Sequence, residues 1–127
     1  MSLLSLHDHV QYFLFIGNAD MRCTFEGLCG VVRNQMKQDP LNHQVYIFIN
    51  RRANQVKLLV WEGDGFCIFH KRLEEGTFER PRPDSGNTQV TLSRTQLQLI
   101  LQGVRLRSIS YRKRYGRTRE RGSTIPK

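Results

Sequence analysis

V-Y-I-F-I-N-R-R-A-N-Q-V-K-L-L-V-W-E-G-D-G-F-C-I-F-H-K-R-L-E-E-G-T-F, residues 45–78, is the stretch whose reading decides the fold. Residues 45–49 are β-branched and aromatic, residues 56–61 are apolar apart from Lys57, and residues 66–69 are apolar again. Each run has the length and composition of a short strand. R-R-A-N-Q at 51–55 and E-G-D-G at 62–65 separate them with turn composition. Gly63 and Gly65 take positive φ at low cost, as a tight reversal needs. Glu74-Glu75-Gly76 is a third turn signal, leading back into Thr77-Phe78. The stretch predicts an antiparallel meander of three or four strands.

Upstream, V-Q-Y-F-L-F-I at 10–16 predicts another strand, ended by Gly17-Asn18. Asp20 is expected to cap a helix, because a carboxylate accepts from the exposed N–H groups of the first turn. Met21, Phe25, Leu28, Val32 and Met36 follow at steps of three or four and form one helical stripe. Gly27 and Gly30 each cost such a helix ~1 kcal/mol relative to Ala, which implies close packing over that face. Asp39-Pro40 is expected to end it, since a residue before proline avoids the α region.

Downstream, Pro81, Pro83 and D-S-G-N at 84–87 read as an irregular connection, and residues 88–91 as a short edge strand. Ser93-Arg94-Thr95-Gln96 has the capping-box pattern, with Leu92 and Leu97 at the hydrophobic-staple positions. Leu97, Ile100 and Leu101 predict the buried face of this second helix, and Gly103 is placed to end it. The fold class expected is α+β: an antiparallel β-meander sheet with two main helices and a disordered basic C-terminal tail. The expected organisation is a flexible leader at 1–9, a single domain at 10–103 and the basic tail at 104–127.

At 127 residues the chain is one domain's length. Its net charge of +9 is concentrated at one end. Residues 104–127 hold nine Arg or Lys against one acid, Glu120, whereas residues 1–103 hold eleven basic and ten acidic residues. A near-neutral domain with a strongly basic tail suits a polyanion, most simply DNA or RNA. A membrane partner is not expected, because the tail has few apolar anchors and no apolar run approaches the ~18 residues of a membrane helix. The N-terminus lacks the basic flank and apolar run of a secretory signal. Cys23, Cys29 and Cys67 are an odd number with no close pair, which favours reduced thiols in a cytosol.

The order of these pieces resembles a family. The matching residues are Asp20-Met21-Arg22, Phe25-Glu26-Gly27-Leu28, Asp39-Pro40, Arg51-Arg52, Lys57-Leu58-Leu59 with Trp61, and Gly63-Asp64-Gly65-Phe66. They continue with Lys71-Arg72-Leu73, Gly76, Phe78, Pro81, Leu92, Gln96-Leu97, Leu101 and Gly103. From about Phe13 to Gly103 the chain resembles the TnpB-type accessory proteins of the insertion-sequence-66 class of bacterial transposable elements. The resemblance implies a small cytoplasmic bacterial protein, encoded beside a separate transposase and associated with transposition, with no chemical activity attached. The chain departs from the family pattern at three places. Cys23 stands where a basic residue is usual, the region of Asn42-His43 lacks a usual glycine, and Arg80 replaces an aromatic before Pro81.

Two turn arginines, Arg51 and Arg52, and three strand-end cations, Lys57, Lys71 and Arg72, can form one basic edge that tracks phosphates, with Arg22 joining it. The competing reading is of ordinary charges that keep hairpin edges soluble. In the tail, Arg112, Lys113, Arg114, Arg117 and Arg119 are the expected nucleic-acid contacts, and Tyr111 and Tyr115 can stack on bases; the alternative is a solvated tail. Tyr46, Phe48, Trp61 and Phe69 either line the core or, as in an RNA-reading sheet, face outward for stacking.

Asp20, Glu62 and Asp64 are the acids to weigh as a metal-dependent nuclease site, which needs carboxylates converging on one point. Asp20 has a capping explanation and the other two belong to a turn. His7 and His9 lie in the leader, and His43 and His70 lack zinc-type spacing to the cysteines. No metal or cofactor is expected. The function expected is a non-enzymatic accessory factor in DNA transposition that binds DNA through phosphate contacts, partnered by the transposase of the same element. A protein-interaction module docking on that transposase, or a metal-dependent nuclease, is the alternative.

Overall fold

The computed structural model describes residues 10–82 and 86–103. The chain runs β1 (Tyr12–Phe15), α1 (Phe25–Asn34), β2 (Val45–Ile49), β3 (Gln55–Trp61), β4 (Phe66–Arg72), β5 (Gln89–Leu92) and α2 (Arg94–Gln102). Every residue of β1 and β2 is buried, and so is β3 between its two ends. Strands apolar at successive positions must be covered on both faces. The architecture follows: one five-stranded sheet, in the order β4-β3-β2-β1-β5, with a helix on each face.

The expected meander is β2-β3-β4, paired antiparallel without a bulge from Ile49↔Val56 to Trp61↔Phe66. The sheet is mostly antiparallel, as expected, and one pair of its strands is parallel. β1 lies parallel to β2, with Tyr12 opposite Val45, because α1 carries the chain across one face between them. β5 closes the other edge antiparallel to β1. Residues 77–78 add no strand; the N–H of Phe78 donates to the carbonyl of Ala53 at 2.6 Å, and its ring is buried in the core.

On one face Phe13, Phe15, Tyr46, Phe48 and Leu59 pack against Leu28, Cys29 and Val32 of α1 and against Met36. On the other, Leu14, Ile47, Ile49, Leu58 and Val60 pack against Leu97 and Ile100 of α2, with Leu73 and Phe78. Of the four weighed aromatics, Tyr46 and Phe48 are fully buried, while Trp61 and Phe69 are half-buried. The staple residues Leu92 and Leu97 sit in the same cluster.

α1 is shorter than its apolar stripe. Thr24, not Asp20, stands at its N-cap, and Asp20 instead accepts from the N–H of Arg22 at 2.9 Å in a turn that precedes the helix. The helix stops with Gln35 at its C-cap, and Lys37 takes a left-handed φ of 58°, before Asp39-Pro40 is reached. Gly27 is tightly approached, since a Cβ there would lie 2.9 Å from Cys23 Sγ, whereas Gly30 faces open space. At α2 both halves of the capping box are made: Gln96 N donates to Ser93 Oγ at 3.0 Å, and Ser93 N donates to Gln96 Oε1 at 2.8 Å. Gly103 ends it at φ 90°, donating to the carbonyl of Ile100 at 3.1 Å. The expected leader and tail lie outside the described residues.

Candidate nucleic-acid interface

Asn50 builds the site. Its side-chain oxygen accepts from the N–H groups of Asn54 (3.0 Å) and Gln55 (2.9 Å), and its amide donates to Asn54 Oδ1 at 2.7 Å. An asparagine that satisfies the turn's own N–H groups rigidifies it. Ala53 closes the turn at φ 58°, its N–H bonded to the carbonyl of Asn50 at 2.9 Å. Arg51 and Arg52 sit at the tip, both exposed. Among the described residues neither has an acidic partner.

The turn faces the loop that precedes α1. Between residues 19–21 and the 50–55 turn lies an open cleft of about 360 Å³, walled by Arg51, Arg52, Asn54 and Gln55 on one side and by Asp20 and Met21 on the other. Arg80 braces the back of this region. Its guanidinium donates to Asn18 Oδ1 at 2.6 Å and to the carbonyl of Asn50. Burial lowers the pKa of that guanidinium.

The other candidate cations do not join Arg51 and Arg52 in one edge. Lys57 is buried on the α1 face, its Nζ donating to the carbonyls of Met21 (2.9 Å) and Cys23 (2.8 Å). It ties β3 to the loop that enters α1 and does not stand with Arg51 and Arg52 on the exposed turn. Lys71 projects to the opposite face, where its Nζ donates to the carbonyl of Leu101 at 3.1 Å. Arg72 lies at the same end of the sheet as the turn, opposite Gln55, but is paired with Glu74 at 3.3 Å. Arg22 reaches Asp20 through Nε and Nη2, the latter at 2.8 Å. This charge-assisted pairing holds the Asp20 carboxyl down to about 2. Arg112, Lys113, Arg114, Arg117 and Arg119 lie outside the described residues.

The three acids weighed as a nuclease centre are spread along the sheet. Asp20 lies near the start of β3, and Glu62 with Asp64 follows its end. Seven strand residues at ~3.3 Å each set these ends ~20 Å apart. No group of three His, Cys, Asp or Glu converges among the described residues. The cysteines are free thiols, and burial raises the pKa of Cys29 and Cys67. No helix among the described residues is long and apolar enough to cross a membrane.

Sequence reasoning missed Asn50, Asn54, Gln55 and Arg80. An asparagine opening a turn was a readable signal for Asn50. For Arg80 the replacement of an aromatic was the only mark, and nothing local says what it reaches.

A mixed sheet flanked by two helices, with a basic turn at one end, describes an accessory protein of transposition once the comparisons are added. The chain belongs to the IS66 Orf2-like family, whose model (IS66 Orf2 like protein) matches residues 10–111. That match runs past Gly103 into the start of the basic segment but stops short of Arg112. Two proteins of Sinorhizobium fredii (strain NBRC 101917 / NGR234) are similar to it. Uncharacterized protein y4hO is 31% identical over 102 residues, covering 80% of this chain and 87% of its own. Uncharacterized protein y4jC is 26% identical over 85 residues, covering 67% and 71%. No solved structure matches the chain significantly.

Proposed function

We propose that this accessory protein acts in transposition without catalysis of its own, by binding DNA through phosphate contacts alongside the transposase of its element. One observation carries the reading: Arg51 and Arg52 stand exposed on a turn stiffened by Asn50, with no acidic partner among the described residues. Two adjacent guanidiniums on a rigid tip suit consecutive phosphates of a backbone, and phosphate contacts position a protein without reading bases. The cluster of cations at 112–119 in the sequence supplies a second grip for the same polyanion.

Fluorescence anisotropy with duplex DNA at several salt concentrations tests this. The full chain is compared with the Arg51→Ala/Arg52→Ala variant, and with a variant neutralised to Gln at Arg112, Lys113, Arg114, Arg117 and Arg119. Each lost phosphate contact flattens the log–log salt slope by ~0.9 on duplex DNA. The double variant is therefore expected to lose roughly two units of slope, at ~0.9 per contact. An unchanged slope in that variant removes the turn from the interface. No binding by the unaltered chain removes the reading as a whole.

A further inference from the structure

Among the described residues, β4 is the outer strand at one edge of the sheet. Two hydrogen bonds set the parity of this strand: Glu62 N donates to the carbonyl of Gly65 at 2.9 Å, and Leu73 N donates to the carbonyl of Asn54 at 2.8 Å. With residues paired across the β3–β4 hairpin as Trp61↔Phe66 through Gln55↔Arg72, odd-numbered residues bond inward to β3. Phe66, Ile68, His70 and Arg72 therefore aim their backbone N–H and C=O groups away from the sheet. No strand among the described residues takes them, because β4 is the outer strand. An open edge of seven residues is a template for another strand.

The side chains on this edge are apolar at one end and basic at the other. Phe66, Cys67, Ile68 and Phe69 are only half-buried, and His70, Lys71 and Arg72 follow. Phe66 lies in an aromatic row, 5.0 Å from Trp61 and 6.4 Å from Phe25, and Phe25 is 44% exposed. Beyond the apolar end stand the turn acids Glu62 and Asp64; beyond the basic end stand Arg51 and Arg52. Such an edge is complementary to its own antiparallel image.

We propose that β4 pairs antiparallel with β4 of a second copy about a two-fold axis at Phe69, making a continuous ten-stranded sheet. Overlap of all seven residues places Phe66 opposite Arg72 and Ile68 opposite His70. These four are the residues whose backbone groups point outward, so the ladder closes on both strands. No cation faces a cation directly: Arg72 meets the ring of Phe66, where cation–π attraction applies, and Lys71 meets Cys67. The ion pair that Arg72 now makes with Glu74 is exposed on both sides and resists this little. A two-fold contact uses one patch twice, as the self-complementary pattern requires. The dimer carries its two Arg51-Arg52 turns at opposite ends of the joint, so one assembly holds two DNA grips.

Sedimentation equilibrium of the full chain, at concentrations up to its solubility limit, tests this. The expected mass is twice the 14.9 kDa of the chain. His70→Pro removes an outward N–H and leaves the β3 ladder intact, since proline is tolerated where a strand N–H faces away from the sheet. It is expected to return the mass to that of the monomer. Thr91→Pro does the same to the outer edge of β5, whose inward bonds include Ile16 N to the carbonyl of Thr88, and is expected to leave the dimer in place. A second variant makes the outcome independent of how His70→Pro folds. Phe69→Cys places two thiols across the axis at the ~4.5 Å Cα spacing of a non-hydrogen-bonded pair, within disulfide reach. Mild oxidation is expected to cross-link it, and not the unaltered chain or Thr91→Cys. A monomer at every concentration, a folded His70→Pro that stays dimeric, or a Phe69→Cys that does not cross-link each overturns the proposal.

Discussion

Lys57 Nζ lies 2.8 Å from the carbonyl oxygen of Cys23, so a buried cation in β3 ties the sheet to the loop that enters α1. The second carbonyl, that of Met21, is at 2.9 Å. Lys57→Ala leaves two part-buried carbonyls without this donor and a void beneath the loop. Hydrogen bonds to a charged group contribute about 1.5–3 kcal/mol each, with partial recovery through water. The expected loss is about 2–4 kcal/mol, read as a lower urea midpoint at unchanged slope. Unchanged stability in Lys57→Ala would mean that the tie is not made in solution.

Arg80 gives a related prediction. Its guanidinium joins Asn18 to the carbonyl of Asn50, the residue on which the basic turn is built. Arg80→Ala is expected to cost about 1.5–3 kcal/mol, the range for hydrogen bonds to charged groups. Hydrogen exchange at Asn54 and Gln55 should accelerate with it, because their N–H groups bond to the Asn50 side chain. Protection that is unaltered there would separate Arg80 from the turn.

Asp20 is expected to titrate at about 2, well below its ordinary value of 3.8, chiefly through the hydrogen bonds from Arg22. A folded-state pKa below the unfolded one stabilises the protein above the unfolded pKa. That contribution is lost as pH falls from about 3.8 through about 2. Carboxyl NMR titration of the unaltered chain against Arg22→Gln checks this. The variant's midpoint should rise toward 3.8, and a midpoint already there in the unaltered chain would refute the pairing.

α2 offers two local tests. Ser93→Ala removes the acceptor for Gln96 N and is expected to cost ~1 kcal/mol. Gly103→Ala forces a Cβ into φ 90° and is expected to cost roughly 1 kcal/mol or more. Thermal or urea unfolding reads both, and a neutral Gly103→Ala would mean that the helix end is not left-handed in solution.

The capping box at Ser93, the stop at Gly103 and the three meander strands were legible because each depends on residues a few positions apart. The end of α1 was not. Its apolar stripe from Met21 to Met36 marks a buried face at Leu28 and Val32, but Phe25 is exposed, and Met21 and Met36 pack into that face from outside the helix. Asp20 was misread for a similar reason: a side chain with two local hydrogen-bonding options, a helix N-terminus or Arg22, is settled by backbone geometry. Of the site, the pairing of Arg51 with Arg52 was plain in the sequence, while the use of Lys57 was hidden because its partners are 34 and 36 residues away.

The sequence by itself determined the elements: period-two and continuous apolar runs make strands, turn residues bound them, and caps delimit α2. It also determined the charge, including the basic C-terminal segment. Only the tertiary structure decided that β1 enters parallel beside β2, since a crossover is a relation between distant strands. It also decided which cations are exposed. Lysine and arginine have long, flexible stems, and whether their charged ends meet water, a carboxylate or a buried carbonyl depends on what the rest of the chain brings within reach.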